Sequence, residues 1–531
     1  MFKHQFLKSL PNLLVILCCL TSIVLSFLES RVNTDAHHWG LMYANAADLH
    51  AGLLPYRQIF IQYGILTTLL QSLSLGLFGN CLVSIGIMTG IFYAANIFFC
   101  FCLWKKFMSH WLAALSALIM FLVHGYIIYP WSNYFSYTFF LIALLFLLSP
   151  HCQRKGYFVA GLFLGLSFLA RQSLMPLLAP LYAYFLLLLV TARRDSLKAL
   201  FQQIFCFHIA LIAVLAIFFL YLFQIDALHD WVAQSVTLLR FYAPHLGGEF
   251  WIFTTLFKGI FLAQSGVGTD ERTLLYSLLF FNALVIFGML LRKAHRQQIT
   301  ETGKIMFLLS AVTLFGYLQS LHIYEVFRLQ SAASLGFGLL VFSIDRFSTR
   351  WGNSRSVIFS IIMTFLVTSL GLSVLFSKTT SVYIPWHRSY FLSKAFGEPE
   401  QVDILRHALY DEQTRLFYQT LDATLRPYVG KIEYVVNFTK NSTFLMLAKS
   451  FKKVQRAPFY SSQMSELIFR DEQLKTSELL AHGEAVLLAE MQDQIPKNYR
   501  IIQTLHVPAS IPWMENPSVY VAVPSSMAPG S

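Results

Sequence analysis

The chain has 531 residues, of which 56% are hydrophobic and only 12% charged, including 50 phenylalanines, and its mean hydropathy is +0.57. Soluble domains carry about 25% charged residues, so this composition excludes an ordinary soluble enzyme and describes a polytopic membrane protein. The net charge of +12 reports membrane orientation rather than nucleic-acid binding, because the basic residues are distributed by loop and not as a patch.

Taken in order, eleven segments approach or exceed the ~18 apolar residues that cross a hydrocarbon core. They lie at 11–28, 82–104, 111–128, 134–149, 157–170, 174–191, 203–223, 273–291, 304–321, 329–344 and 357–377. The first follows a basic n-region without a small-x-small cleavage site and reads as a retained anchor. The apolar stretch 59–78 is assigned to the outer interface, since a crossing there would reverse every later loop. With the N-terminus inside, the inner segments hold sixteen basic residues, from Lys3 to Arg355, against three acids, Asp195, Glu301 and Asp345. The outer loops before residue 378 hold seven basic residues and nine acids, which is the positive-inside pattern with the C-terminus out. Long outer loops are expected at 29–81 and 224–272, the second with interfacial helices in WVAQSVTLLRFY and FWIFTTLFKGIFLA.

All seven cysteines fall in or beside spans, so the exported tail has none for a disulfide, and a bacterial periplasmic face is compatible with that. After Lys378, SVYIPWHRSYF is interfacial and the text then becomes globular. Helical spacing runs over 400–424, KIEYVVNFT reads as a strand, STFLMLAKSF as a helix, and EAVLLAEM and PSVYVAVP as strands. The expected fold is an all-α polytopic membrane protein of about 11 helices (1–378) with a small C-terminal α/β extracytoplasmic domain (379–531). That tail shows no phosphate loop, metal spacing or nucleophile elbow, and is read as a structural or acceptor-guiding cap. Its sequons at Asn437 and Asn441 are expected to face outward.

Three clusters in the membrane part could carry chemistry. Asp35, His37 and His38 follow the first span, and Asp48 lies one helix further on. A partly desolvated carboxylate there would have a raised pKa and could serve as a base; the plainer alternative is that Asp35 caps the helix starting near His38. His37 and His38 with Asp35 are also candidate ligands for a divalent cation, although adjacent histidines point apart on a helix. Arg171 interrupts FLGLSFLARQSLMPLLAP between two basic flanks, which requires a helical hairpin with Arg171 and Gln172 at its outward turn. A guanidinium at that depth suits a lipid-linked phosphate, or else snorkels to headgroups. In LQSLHIYEVFRLQSAAS, His322, Glu325 and Arg328 would share a helical face, either around a substrate or as an internal Glu325 to Arg328 pair. Arg57, Arg240, His245 and Lys258 add to this outer rim, while Tyr129, Trp131, Trp231 and Trp251 fit an aromatic belt.

DAHHWG followed by ADLHAGLLPYRQIFIQYG, with GLFLGLSFLARQS, the long outer loop and the α/β tail, resembles the GT-C superfamily of integral-membrane glycosyltransferases. The similarity is to polyprenyl-phosphate-sugar users related to protein O-mannosyltransferases and to lipid A and polysaccharide-modifying enzymes. It implies an inverting transfer in which Asp35 deprotonates the acceptor hydroxyl. Arg171, Arg328 and Arg57 would stabilise the departing polyprenyl phosphate, with His37, His38, Asp48, Tyr63, His322 and Glu325 as binding or supporting residues. The acceptor would be a lipid, glycan or protein, the setting a bacterial inner membrane with a periplasmic site, and no cofactor is required beyond the candidate divalent cation. The sequence departs from the common pattern in placing histidines where a second acid often follows the first. A lipid or polysaccharide transporter is the rival class, but its ionisable groups belong near the bilayer midplane and here they collect at the outer rim. A non-catalytic envelope-assembly protein is the third, and it leaves those rim charges unexplained.

Overall fold

The computed structural model describes residues 2–32, 39–61, 63–124, 129–149, 153–192, 194–237, 251–262, 272–320, 329, 331, 333–349, 354–376, 412–439, 451–453, 476–508, 511 and 516–528. Its contacts divide the chain into two compact units, Met1–Leu25 with Thr89–Tyr221 and Ala243–Ser381, and Ser26–Met88 with Leu222–Tyr242 and Val382–Ser531. The helices are α1 (Phe2–Val32), α2 (Leu41–His50), α3 (Ile65–Phe78), α4 (Leu82–Trp104), α5 (His110–His124), α6 (Ser132–Leu147), α7 (Arg154–Ala170) and α8 (Leu178–Thr191). There follow α9 (Arg194–Gln224), α10 (Leu228–Val232), α11 (Trp251–Leu262), α12 (Arg272–His295), α13 (Glu301–Gly316), α14 (Leu335–Ser348), α15 (Arg355–Phe376) and α16 (Glu412–Leu425). Each segment read as a span overlaps one of these helices. Among the described residues, five stretches are long and apolar enough to cross a membrane: Ser9–Arg31, Leu82–Trp104, Gln172–Thr191, Ser196–Gln224 and Arg272–His295.

The surface and the interior both fit a hydrocarbon solvent. On α9, Phe205, Ile212, Ile217, Leu220 and Phe223 are all exposed, with Phe223 at 76%; a soluble protein would hide such a face. The contacts between helices use small and hydroxyl side chains instead. Ser136 Oγ donates to the Ser167 carbonyl at 2.7 Å and Ser167 Oγ returns a bond to the Ser136 carbonyl at 2.8 Å, joining α6 to α7. Gly161 and Gly165 lie against Phe207, Ala210 and Val214 of α9, so closely that a Cβ at Gly161 would collide with the Phe207 carbonyl. This is the small-x-x-x-small packing of membrane helices, where apolar burial gives little preference and close backbone approach supplies the attraction.

The helix α3 is inverted in the same sense. It buries Thr67, Thr68, Gln71 and Ser74 and exposes Leu69, Leu73 and Leu77 at i, i+4 and i+8. Its 14 residues reach about 21 Å, short of a ~30 Å hydrocarbon core.

The tail carries a five-stranded sheet in the order β2-β1-β3-β5-β4, built from β1 (Tyr434–Asn437), β2 (Lys452–Lys453), β3 (Ala485–Ala489), β4 (Tyr499–His506) and β5 (Ser518–Pro524). β1 runs parallel to β2 and β3, whereas β5 is antiparallel to β3 and β4. The central strand β3, AVLLA, is buried at every residue, as a strand covered on both faces must be. The amphipathic α16 buries Phe417, Tyr418, Leu421 and Leu425 and packs on β4. Three expected strands are therefore found. The helix expected over STFLMLAKSF lies almost wholly outside the described residues.

One expectation is corrected here. Tyr129 and Trp131 are 1% and 3% exposed with ring centroids 5.8 Å apart, so they pack the interior and form no belt at the headgroups. In the tail, Asn437 is fully buried, its Oδ1 accepting from the Thr439 amide at 3.1 Å and hydroxyl at 2.6 Å, and Asn441 lies outside the described residues.

Candidate functional site

In the first unit, the chain breaks helix where the basic interruption predicted it. α7 ends at Ala170, Arg171 is extended (φ −161°, ψ 113°), and a 3-10 turn over Gln172–Leu177, containing Pro176, leads into α8. Leaving the helix at this point frees Arg171 to make lateral contacts. Its Nη1 donates to Ser132 Oγ at 2.8 Å, at the start of α6, and its Nε to Ser173 Oγ at 2.6 Å. Ser173 in turn donates to Gln319 Oε1 at 3.2 Å, and Gln319 Nε2 donates to the Ser173 carbonyl at 2.5 Å. Gln319 belongs to a 3-10 turn, Tyr317–Ser320, that ends α13. Tyr317 donates to the Tyr276 carbonyl and so holds the same end of α12.

The guanidinium is half-buried and is aimed by the hydroxyls of Ser132 and Ser173. A planar guanidinium presents paired donors of the kind that suit a phosphate. Next in sequence to Ser132, Ser173 and Gln319, the atoms Asn133 Oδ1, Gln172 Nε2 and Ser320 Oγ are buried without a hydrogen-bond partner. Orphaned polar atoms in sequence neighbours of all three partners mark a place where a polar ligand or water completes the structure.

In the second unit the described residues that follow the first helix, 39–61, form a built structure. α2 buries Tyr43, Asn45 and Asp48. Asn45 Nδ2 donates to the Phe60 carbonyl at 2.7 Å, and Tyr43 donates to Asn80 Oδ1 at 2.8 Å. Burial pushes the Tyr43 phenol well above its ordinary range, so it stays protonated and can donate this bond. The PYRQIF turn is clamped by Gln234, which donates to the Tyr56 carbonyl at 2.7 Å and accepts from the Ile61 amide at 3.0 Å. Arg57 pairs with Asp226 Oδ2 at 2.8 Å and also donates to the carbonyls of Ile225 and Asp226. Tyr56 and Asp226 both hold left-handed backbone, at φ 64° and 54°. That conformation costs a bulky residue of order 1–3 kcal/mol, so the Gln234 clamp has strain to offset.

Of the site residues expected from sequence, Arg171, Arg57, Asp48 and Tyr63 are described, and the first is brought together with a polar cluster. Asp35, His37, His38, His322, Glu325 and Arg328 lie outside the described residues, as do Arg240 and His245. Lys258 is exposed on α11. No group of three metal-ligating side chains occurs among the described residues. Sequence reading missed Ser132, Gln319 and Gln234, and it also missed Glu29, a carboxylate buried to 1% in the last turns of α1. The acid in an apolar helix was a legible signal for Glu29; the neutral residues carried none.

No family model matches the sequence, and no curated protein matches it. Solved structures do. The ArnT of Cupriavidus metallidurans bound to undecaprenyl phosphate superposes with a TM-score of 0.56 at 12% identity, covering 97% of this chain and 99% of that one. Its apo state gives 0.57 with the same coverage. The oligosaccharyltransferase of Archaeoglobus fulgidus, tethered to an acceptor peptide containing the NVT sequon, gives 0.51 at 11% identity over 91% of this chain and 69% of that one. The chain therefore has the fold of these solved GT-C structures.

Proposed function

We propose that the protein is a membrane glycosyltransferase that moves a sugar from a polyprenyl-phosphate carrier to a lipid, glycan or protein acceptor on the extracytoplasmic face. The observation that carries this reading is Arg171, held by Ser132, Ser173 and Gln319 beside unpartnered polar atoms, in a fold whose ArnT example was solved with undecaprenyl phosphate. In the transfer, the acceptor oxygen attacks the anomeric carbon and its proton passes to Asp35. The bond from that carbon to the phosphate oxygen breaks, and its electron pair leaves with the polyprenyl phosphate. Arg171 and Arg328 stabilise the charge that develops on the phosphate, which is worth most in a water-poor setting. Arg57 would join them only by giving up Asp226, so its first role is to fix the loop. Asp48, Tyr63, His37, His38, His322 and Glu325 remain candidates for shaping the substrate site.

The positive-inside pattern supports an extracytoplasmic site in a bacterial inner membrane. The test is Asp35→Asn in cells and in proteoliposomes, with lipid extraction and mass spectrometry of polyprenyl-phosphate sugars. The donor is expected to accumulate while undecaprenyl phosphate is still retained by the purified protein. Turnover preserved in that variant removes Asp35 from the base role.

A further inference from the structure

The end of the first unit opposite Arg171 carries a second built feature. A cavity of about 580 Å³ is lined by Lys105, Lys106, Trp111, Thr302, Phe342 and Arg346, with Asp345 its one carboxylate. It gathers the end of α4, the start of α5, the start of α13 and the end of α14. Thr302 and Gln319 stand at opposite ends of α13 and its 3-10 extension, so the cavity and the Arg171 cluster lie about 25 Å apart along that axis.

Three cations and one acid give the cavity a net positive charge, and the cations are held in place. Lys105 Nζ sits 5.0 Å from the Phe101 ring centroid and Arg346 Cζ 5.1 Å from that of Phe342. Phe342 packs edge-on against Phe107 at 5.7 Å. Lys106 Nζ donates to the Leu148 carbonyl at 3.1 Å, closing the end of α6. Phe107, Met108, Trp111 and Leu112 supply an apolar wall beside these charges, and Trp111 is 48% exposed. A basic rim over an aromatic wall at the end of a lipid-facing bundle matches a phosphate attached to an acyl-bearing glycerol.

We propose that this cavity binds the headgroup of an anionic glycerophospholipid in the leaflet at the basic end of the bundle. The phosphate sits between Lys105 and Arg346, and the upper acyl chain lies along Trp111 and Phe107. This site is separate from donor binding and stands whether or not the transferase reading holds.

The test is native mass spectrometry of the purified full chain with phosphatidylglycerol and phosphatidylcholine of identical acyl chains. Each surface cation is worth about five-fold in retention of an anionic lipid. The wild type is expected to prefer phosphatidylglycerol, and Lys105→Gln with Arg346→Gln to lower that preference by about 25-fold. Lys105→Arg with Arg346→Lys, which preserves charge, should retain it. If the double glutamine variant does not fold, Lys105→Gln alone is read for its five-fold loss. Equal retention of the two lipids by the wild type overturns the proposal, and so does a preference unchanged by the glutamines. Displacement of the lipid by millimolar inorganic phosphate overturns it in favour of a soluble ligand. Loss of undecaprenyl phosphate rather than phosphatidylglycerol in the glutamine variant overturns it in favour of the carrier.

Discussion

Gly161→Ala and Gly288→Ala are the same substitution in two helix interiors, and the structure predicts opposite signs. Alanine is favoured over glycine in a helix by up to ~1 kcal/mol. At Gly288, on α12, nothing lies within 4 Å of the added Cβ, so that gain should appear undiminished. At Gly161 the new Cβ meets the Phe207 carbonyl and the Ala210 Cβ. A backbone carbonyl cannot rotate aside as a side chain can, so α7 and α9 must separate. Overpacking of this kind costs about 1–3 kcal/mol and exceeds the propensity gain. The propensity gain is common to both, so the two variants should differ by the overpacking cost itself, about 1–3 kcal/mol, Gly161→Ala the less stable. Cys18, Cys81 and Cys100 are free and buried, which makes thermal unfolding in detergent readable with a thiol-reactive fluorophore. A Gly161→Ala protein that melts at or above Gly288→Ala would refute the close-contact account of the α7 and α9 interface.

Removing the Arg171 guanidinium by Arg171→Ala should weaken retention of undecaprenyl phosphate by about 10- to 100-fold in native mass spectrometry, the worth of one or two charge-assisted bonds. Ser132→Ala should cost less, because Ser173 still holds Nε; unchanged retention in Arg171→Ala counts against the phosphate assignment. Gln234→Ala deletes both bonds to the PYRQIF turn, and should speed amide exchange at 53–61 by about 10-fold or more while α13 is unaffected. Burial holds the Tyr499 phenol up to about 12 against an ordinary 10.0, while its hydroxyl donates to the Ala485 carbonyl at 3.0 Å. The unfolded chain therefore loses that proton first, so this contribution is intact below about pH 10 and is lost as pH rises toward 12. Amide exchange in β3 and β5 should accelerate over that window, and less so in Tyr499→Phe; equal acceleration in both would sink the assignment.

The membrane helices were legible because a hydrocarbon solvent demands long apolar runs. β1, β3 and β5 were legible for a related reason: each is a short apolar run bounded by turn residues. β4 was not, since YRIIQTLH sits at the sheet edge beside β5 alone, and its partly exposed faces leave no clean alternation. Arg171 could be picked out as a cation in apolar text. Its partners could not, because Gln319 reaches Ser173 across 146 positions, and neither could the separate loop clamp, where Gln234 reaches Tyr56 across 178. Neutral polar residues at helix ends are common, and only the fold brings these together. Tyr129 and Trp131 show the reverse limit, since aromatic residues at a span end serve a headgroup belt and an interior contact equally well.

A shared architecture at 12% identity over 97% of the chain follows from what lipid constrains. Every backbone group in a membrane segment must be paired within its helix, and any apolar side chain can face the tails. Outward positions such as Ile212 and Phe223 are thus free to drift without changing the fold. What cannot drift freely is the set of positions where a neighbouring element comes too close for a Cβ, Gly161, Gly165 and Gly338 among them, and the polar residues that end helices. Gly338 makes the point, since it admits the Trp104 indole, whose Nε1 donates to the Leu335 carbonyl at 3.2 Å. Under the transferase reading proposed above, the fold says little about which sugar or acceptor is used. On that reading the choice would lie in the few polar side chains at the helix ends and in the loops between them, where exchanges leave the packing glycines untouched.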